Sequence, residues 1–237
     1  MNSPLETIPL FYIGPVAITQ AIVTTWVIMG VLVLAAYGFT RRLGLVPGKR
    51  QAAFELLVET LDLQIRETSG ADPSRYRSFI GTLFLFILIA NWTSLMPGID
   101  PPTAQLETDA ALAVVVFASV IWFGIGSDGV GGYLKSFAMP NPVMIPLNML
   151  ASVTRVFSMF VRLFGNVMSG VFIVGIVASL AGLIVPIPLM ALDLLIGLVQ
   201  AYIFAVLAMV FITSTVKDGT TSPEEPETTS PPKMKED

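Results

Sequence analysis

Five stretches of this chain are too apolar and too poor in charge to sit comfortably in water. They run from Gln20 to Phe39, Ser78 to Met96, Ala110 to Gly126, Pro146 to Leu180 and Pro188 to Val216. About 20 apolar residues suffice for a helix to cross a hydrocarbon core of ~30 Å. In that core the backbone must satisfy its own polar groups, so each stretch is read as a helix. The run from Ala110 to Gly126 is the shortest of the five. Composition agrees: 54% of residues are hydrophobic and 13% charged, against about 25% charged in soluble domains. The predicted fold class is an all-α polytopic membrane protein with about five membrane-embedded helices. The last two form a long, tilted hairpin, and an amphipathic surface helix is added.

Charge is distributed unevenly. Seven of the 13 basic residues lie between Arg41 and Arg77, and six of the 17 acidic ones follow Val216. No nucleic-acid footprint emerges from that pattern. The chain has no Cys and no His, which removes thiol nucleophiles, disulfides and imidazole metal sites. No metal site or cofactor is expected. Residues 1–19 read as an extracytoplasmic lead-in, with neither the basic start nor the cleavage site of a signal peptide. Residues 20–216 form a single membrane domain, and residues 217–237 are a Pro/Ser/Thr/Glu tail expected to be disordered and cytoplasmic.

The positive-inside rule orients the spans. The basic loop from Arg41 to Arg77 is cytoplasmic, the acidic loop from Pro97 to Asp109 outside, and the Gly-rich loop from Asp128 to Asn141, holding Lys135, inside. The N-terminus is therefore outside and the C-terminus cytoplasmic. Within the basic loop, Phe54, Leu57, Val58, Leu61 and Ile65 recur at helical spacing among Glu55, Glu59, Asp62 and Arg66. That predicts an amphipathic helix over 50–68, lying against a membrane surface or a partner, or else a solvated connecting helix.

The ion-path helices, 146–180 and 188–216, carry the unusual chemistry. The first would be roughly 52 Å long at ~1.5 Å per residue, so it must tilt steeply, kink or run partly along the membrane, as it would beside something curved. It also contains Arg155 and Arg162, and an arginine cannot shed its charge inside a membrane. On a helical wheel Asn148, Arg155, Ser158, Arg162, Asn166 and Ser169 fall within an arc of roughly 80°. The polar residues of the long helix thus make one stripe. On the second helix Asp193, Gly197, Gln200 and Phe204 share a face. For Ser158, Ser169 and Asn148 the plain alternative is local backbone bonding or helix–helix contact. For Arg162 it is a structural ion pair with Asp193.

These residues carry a resemblance. F-V-R-L-F-G-N-V-M-S-G, from Phe160 to Gly170, resembles the R-L-F-G-N motif of subunit a of F-type rotary ATP synthases. The stretch from Asn91 to Gly98 resembles that family's N-x-x-x-L-x-P-G ending of an earlier helix. The stretch from Pro101 to Thr108 resembles its P-P-T-A-x-L-N-T loop, and the stretch from Leu198 to Phe204 its L-Q-A-F-I-F segment. The resemblance implies a stator subunit that provides two ion half-channels and couples H⁺ translocation to ring rotation. Its partners would be a ring of c subunits, a b-type peripheral stalk subunit and the lipid bilayer of an energy-transducing membrane, by default a bacterial inner membrane. Arg162 would be the essential arginine facing the ring, with Asn166 one turn away and Gln200 across on the next helix. No catalytic residue for ATP is implied in this chain.

Where the family often has an acid after R-L-F-G-N, this chain has Val171. Where it often has His or an acid seven residues before the Gln, this chain has Asp193. Where an acid is common near the start of the long helix, this chain has Asn148. The outer half-channel is therefore expected to use Asp193, with Glu107 or Asp109 at its mouth, and Na⁺ is the alternative coupling ion. A secondary transporter of a small anion, using Arg162 and Asp193, is the rival of another class; it would call for an inverted repeat, and none is visible. A simple hairpin would set Arg162 and Gln200 about 9 Å apart in height, so a non-helical descending loop is expected over Gly182–Pro188.

Overall fold

The computed structural model describes residues 9–13, 16–41, 48–70, 72–96, 99, 101–137, 144–182 and 184–220. A short antiparallel hairpin of β1 (Pro9–Ile13) and β2 (Val16–Thr19) leads into α1 (Gln20–Thr40). The described helices that follow are α2 (Lys49–Ser69), α3 (Pro73–Trp92), α4 (Leu106–Phe137), α5 (Met144–Ala181) and α6 (Pro186–Thr220). All of these except α2 are long and apolar enough to cross a membrane. The chain is a multi-pass, all-α membrane protein.

Local chemistry sets the helix ends. Gly70 takes a left-handed φ of 65°, and its N–H bonds the Arg66 carbonyl to close α2, the role glycine fills best at a helix C-terminus. Asp72 then caps α3, accepting from the Ser74 N–H at 3.0 Å, with Pro73 at the first helical position where its missing N–H costs nothing. The Ser74 N–H holds the exposed Asp72 carboxyl below its ordinary value of 3.8. Arg77 of α3 pairs with Asp62 of α2, and Ile65 of α2 is buried. The expected amphipathic helix thus packs by its apolar face on α3 and α6.

The core is built around α6. Its Ala201, Phe204, Ala205, Ala208, Met209, Phe211 and Ile212 meet Ile80, Leu83 and Ile87 of α3. Val116 and Val120 of α4 and Met159, Leu163 and Val167 of α5 join them. Small residues four apart let helix backbones approach, which is how membrane helices gain packing without a hydrophobic driving force.

Three expectations change. Helix α4 begins at Leu106, so Glu107 and Asp109 belong to its first turn rather than to a loop; acids are favoured there by the helix dipole. The Gly-rich stretch after Asp128 is also largely helical as far as Phe137, interrupted at Gly129 with φ 71° and ψ 172°. Only glycine takes that conformation cheaply, so a break and restart replaces a continuous loop. Finally, α5 stops at Ala181 and α6 restarts at Pro186, a shorter connection than Gly182–Pro188. Gly182 supplies a positive φ of 74°, the Ile187 N–H bonds the Ile184 carbonyl, and Pro186 sits at the first helical position. In the tail, residues 217–220 continue α6; the remainder lies outside the described residues.

Candidate functional site

Two stripes run down α5. Met159, Leu163 and Val167 recur every four residues and are buried against the core. The polar residues Arg155, Ser158, Arg162 and Asn166 lie about 100° around the helix from that stripe, and all four are exposed. Arg162 therefore emerges beside the α5–α6 seam rather than inside it. It shares an open groove of about 500 Å³ with Leu150, Thr154, Arg155, Ser158 and, from α6, Leu207.

Across the seam three pairs fix an antiparallel register. Arg155 Nη1 donates to Ser214 Oγ at 3.3 Å, and its guanidinium lies 4.9 Å from the Phe211 ring centroid. Asn166 Nδ2 donates to Gln200 Oε1 at 2.7 Å. Gly170 faces Asp193 so closely that a Cβ there would collide with Oδ1 of the acid. Arg162 is one turn from Asn166, so it stands within about 6 Å in height of Gln200. The short connection at Gly182 reduces the misalignment of about 9 Å expected from the sequence to about 6 Å.

Asp193 is half-buried and accepts from Ser94 Oγ at 3.0 Å. One turn along, Asn91 Nδ2 donates to the Gly197 carbonyl at 3.0 Å. A Cβ at Gly197 would lie 3.0 Å from that of Asn91, tighter than side chains normally meet. Asn91, Asn166, Asp193, Gly197 and Gln200 enclose a space of about 10 Å³, close to the room one water needs. Gln200 is buried, and its Nε2 has no hydrogen-bond partner among the described residues.

The comparisons with known proteins decide the family. A family model described as "ATP synthase A chain" matches residues 22–213. A protein of Bradyrhizobium sp. named "ATP synthase subunit a 2" is 53% identical over 215 residues, covering 91% of this chain and 96% of its own. "ATP synthase subunit a" of Albidiferax ferrireducens is 43% identical, covering 89% and 92%. "ATP synthase subunit a 2" of Acaryochloris marina is 44% identical, covering 84% and 86%. The chain belongs to the ATP synthase A chain family.

Within this family member the structure brings together Arg162, Asn166, Gln200 and Asp193 along one hairpin. Ser158 joins them in the groove, whereas the Ser169 hydroxyl donates to the Asn166 carbonyl of its own helix at 2.9 Å. Asn148 is half-buried near the start of α5, far along the helix from the others. The structural ion pair between Arg162 and Asp193 is not formed: Asp193 engages Ser94 instead, about two turns from Arg162. The two proposed mouth residues separate, since Glu107 is exposed while Asp109 is fully buried. Val171 packs partly buried against the core.

Sequence reasoning passed over Asn91, Ser94 and Gly170 as site residues. The signal was there, since Asn91 and Ser94 open one of the resembling motifs and Gly170 closes another. What was missing was the register that sets α3 against α6.

Proposed function

We propose that this chain is the stator subunit of the membrane sector of an F-type ATP synthase, with Arg162 as the fixed charge facing a ring of c subunits. One observation carries the reading: a permanent cation stands exposed in the polar stripe of an otherwise apolar helix, one turn from the Asn166–Gln200 hydrogen bond. As a member of this family it is a non-catalytic subunit, and ATP chemistry takes place elsewhere in the complex.

The electrostatics follow from that placement. A ring carboxylate carrying its ion is neutral and stable against hydrocarbon. Opposite Arg162 at ~4 Å, with an effective dielectric of about 20, the charged form gains about 4 kcal/mol, equivalent to roughly three pKa units. The ion is released as the carboxylate reaches Arg162, and a new one is loaded after it passes. Because the guanidinium stays protonated, it also repels cations and separates the two half-channels. The membrane potential supplies about 2.3 kcal/mol per charge per 100 mV, which biases the ring's rotation.

In this arrangement the groove of Arg155 and Ser158 opens toward the cytoplasmic end, and Asp193, Ser94, Asn91 and Gln200 serve the outer end. The coupling ion is H⁺, with Na⁺ as the alternative. A b-type stalk subunit holds the chain against torque in a bacterial inner membrane, N-terminus outside and tail in the cytoplasm. The test is Arg162→Ala in the intact complex, with ATP-driven ion pumping measured in vesicles. Pumping should vanish; unchanged pumping would end the proposal. Varying Na⁺ in the same assay at fixed pH identifies the ion.

A further inference from the structure

The apolar face of α2 does not close fully onto its neighbours. Between it and the spanning helices runs a groove of about 320 Å³. Leu57, Leu61 and Ile65 of α2 form one wall, and Ile80 of α3 with Ala205 and Met209 of α6 form the others. Ile80, Ala205 and Met209 are buried at its floor, whereas Leu56 and Tyr202 stand exposed at its rim. The α2 positions that line it extend from Leu56 to Thr68, so the groove follows that helix for roughly 18 Å.

Only Thr60, Gln64, Thr68 and Tyr202 bring polar side chains to it. Thr60 Oγ1 donates to the Leu56 carbonyl of its own helix at 2.7 Å, and Gln64 Nε2 donates to Thr68 Oγ1 at 3.2 Å. None of the buried, unpartnered polar atoms among the described residues lies in its lining. Such walls suit an apolar ligand and offer water little. A partner helix does not fit, because a cylinder ~10 Å across would fill roughly 1,400 Å³ over the same length. A single unbranched hydrocarbon chain does.

Charge gives the groove two different ends. Lys49 and Arg50 begin α2 and stand seven residues before Leu56 and Leu57, so the helical period sets all four on one face. Glu55, Glu59, Asp62 and Arg66 fall on the opposite side of the helix. There Glu55 accepts from Gln51 Nε2 at 2.8 Å, and Asp62 pairs with Arg77. Glu67 shares the groove face but lies at the other end of α2.

We propose that the groove holds one acyl chain of an anionic phospholipid, taken from the leaflet against which α2 lies, with the phosphate at Lys49 and Arg50. Basic residues on an amphipathic surface helix attract anionic headgroups, and the methylenes gain burial against the leucine wall. The chain supplies packing that α2 and α6 do not give each other along this face, and so ties the surface helix to the scaffold helix. The proposal does not depend on the role of Arg162 or on the coupling ion.

The experiment places the intact complex in phosphatidylcholine vesicles containing a minor share of phosphatidylglycerol with a photoactivatable diazirine along one acyl chain. A parallel sample carries the diazirine on phosphatidylcholine instead. After irradiation and digestion, mass spectrometry locates the attached lipid. Label should concentrate at residues 56–68, 80–84 and 202–209, with phosphatidylglycerol favoured about fivefold. The exposed Val33 and Leu34 of α1 should show no such preference. Lys49→Gln combined with Arg50→Gln should remove the preference. Thr60→Trp, placed from the exposed rim, should abolish groove label and leave that on α1 unchanged; Val206→Phe serves the same purpose if that complex does not assemble. Equal labelling of the wild-type groove by the two lipids would overturn the proposal, as would a preference that survives loss of both basic residues. Groove label no denser than that on α1, as where another subunit fills the site, would also overturn it.

Discussion

The two helices of the last hairpin have nearly the same length, 38 and 35 residues, and opposite roles in the fold. Half of the α6 span is buried within the chain, against 11% of the α5 span. Helix α6 is the scaffold, gripping α3 and α4 with alanines four apart and with Phe204. Helix α5 presents Phe157, Val161, Ile173 and Ile176 outward and carries the arginines on the same accessible side. A helix that keeps its chemistry exposed is built for a neighbour, whereas one that buries it is built to hold that neighbour's counterpart in place.

The largest expected effect tests that division directly. Arg162→Ala should reduce ion pumping to background while leaving the amount of assembled subunit unchanged, because the residue makes no packing contact that the fold needs. Loss of assembly would mean that α5 is scaffold after all.

Next in size is a pair of phenylalanines. Phe204→Ala should destabilise the purified chain in detergent by about 3–5 kcal/mol, as for a large core truncation. Phe157→Ala should stay within ~0.5 kcal/mol, as for a surface site. Equal losses in denaturant titration would erase the contrast between the helices.

A subtler comparison lies within α5. Gly170→Ala forces Asp193 away from Ser94, whereas a Cβ at Gly175 meets nothing within 4 Å. Gly170→Ala should slow initial pumping several-fold, and Gly175→Ala should leave it near wild type. Equal rates would show that the Asp193 position is not set by the glycine.

The smallest effect is at the α2–α3 turn. The Asp72 carboxyl is held below 3.8 by the Ser74 N–H, so its contribution is present above that value. It is lost as pH falls through the lowered folded value. Hydrogen exchange at the start of α3, taken relative to the intrinsic amide rate at each pH, should therefore quicken at the acid end in wild type. In Asp72→Ala it should be faster throughout and show no such step.

Much of the fold could be read from the chain itself. Runs without charge forced the spanning helices, and the 54–65 pattern marked α2. The wheel positions of Arg155, Arg162 and Asn166 gave the polar stripe, because a 3.6-residue period places side chains irrespective of what surrounds them. Helix ends were less legible: the Gly-rich stretch after Asp128 read as a loop, whereas helix continues to Phe137 with a break at Gly129. Asp109 looked like a loop acid because its sequence context is acidic and short of apolar residues. In the structure it is buried in the first turn of α4, on which the preceding 3-10 turn packs.

What the sequence determined alone is the set of helices, their polar faces and the membership implied by four motifs, since these depend on local spacing and residue chemistry. Which face of each helix meets protein and which meets its surroundings was decided by the tertiary structure. Both α5 and α6 are apolar nearly all round, and hydrocarbon is as compatible with leucine as a protein core is. Periodicity therefore cannot separate the two environments. Only the register across the seam set Asn166 on Gln200, placed Gly170 against Asp193, and left Arg162 exposed one turn away.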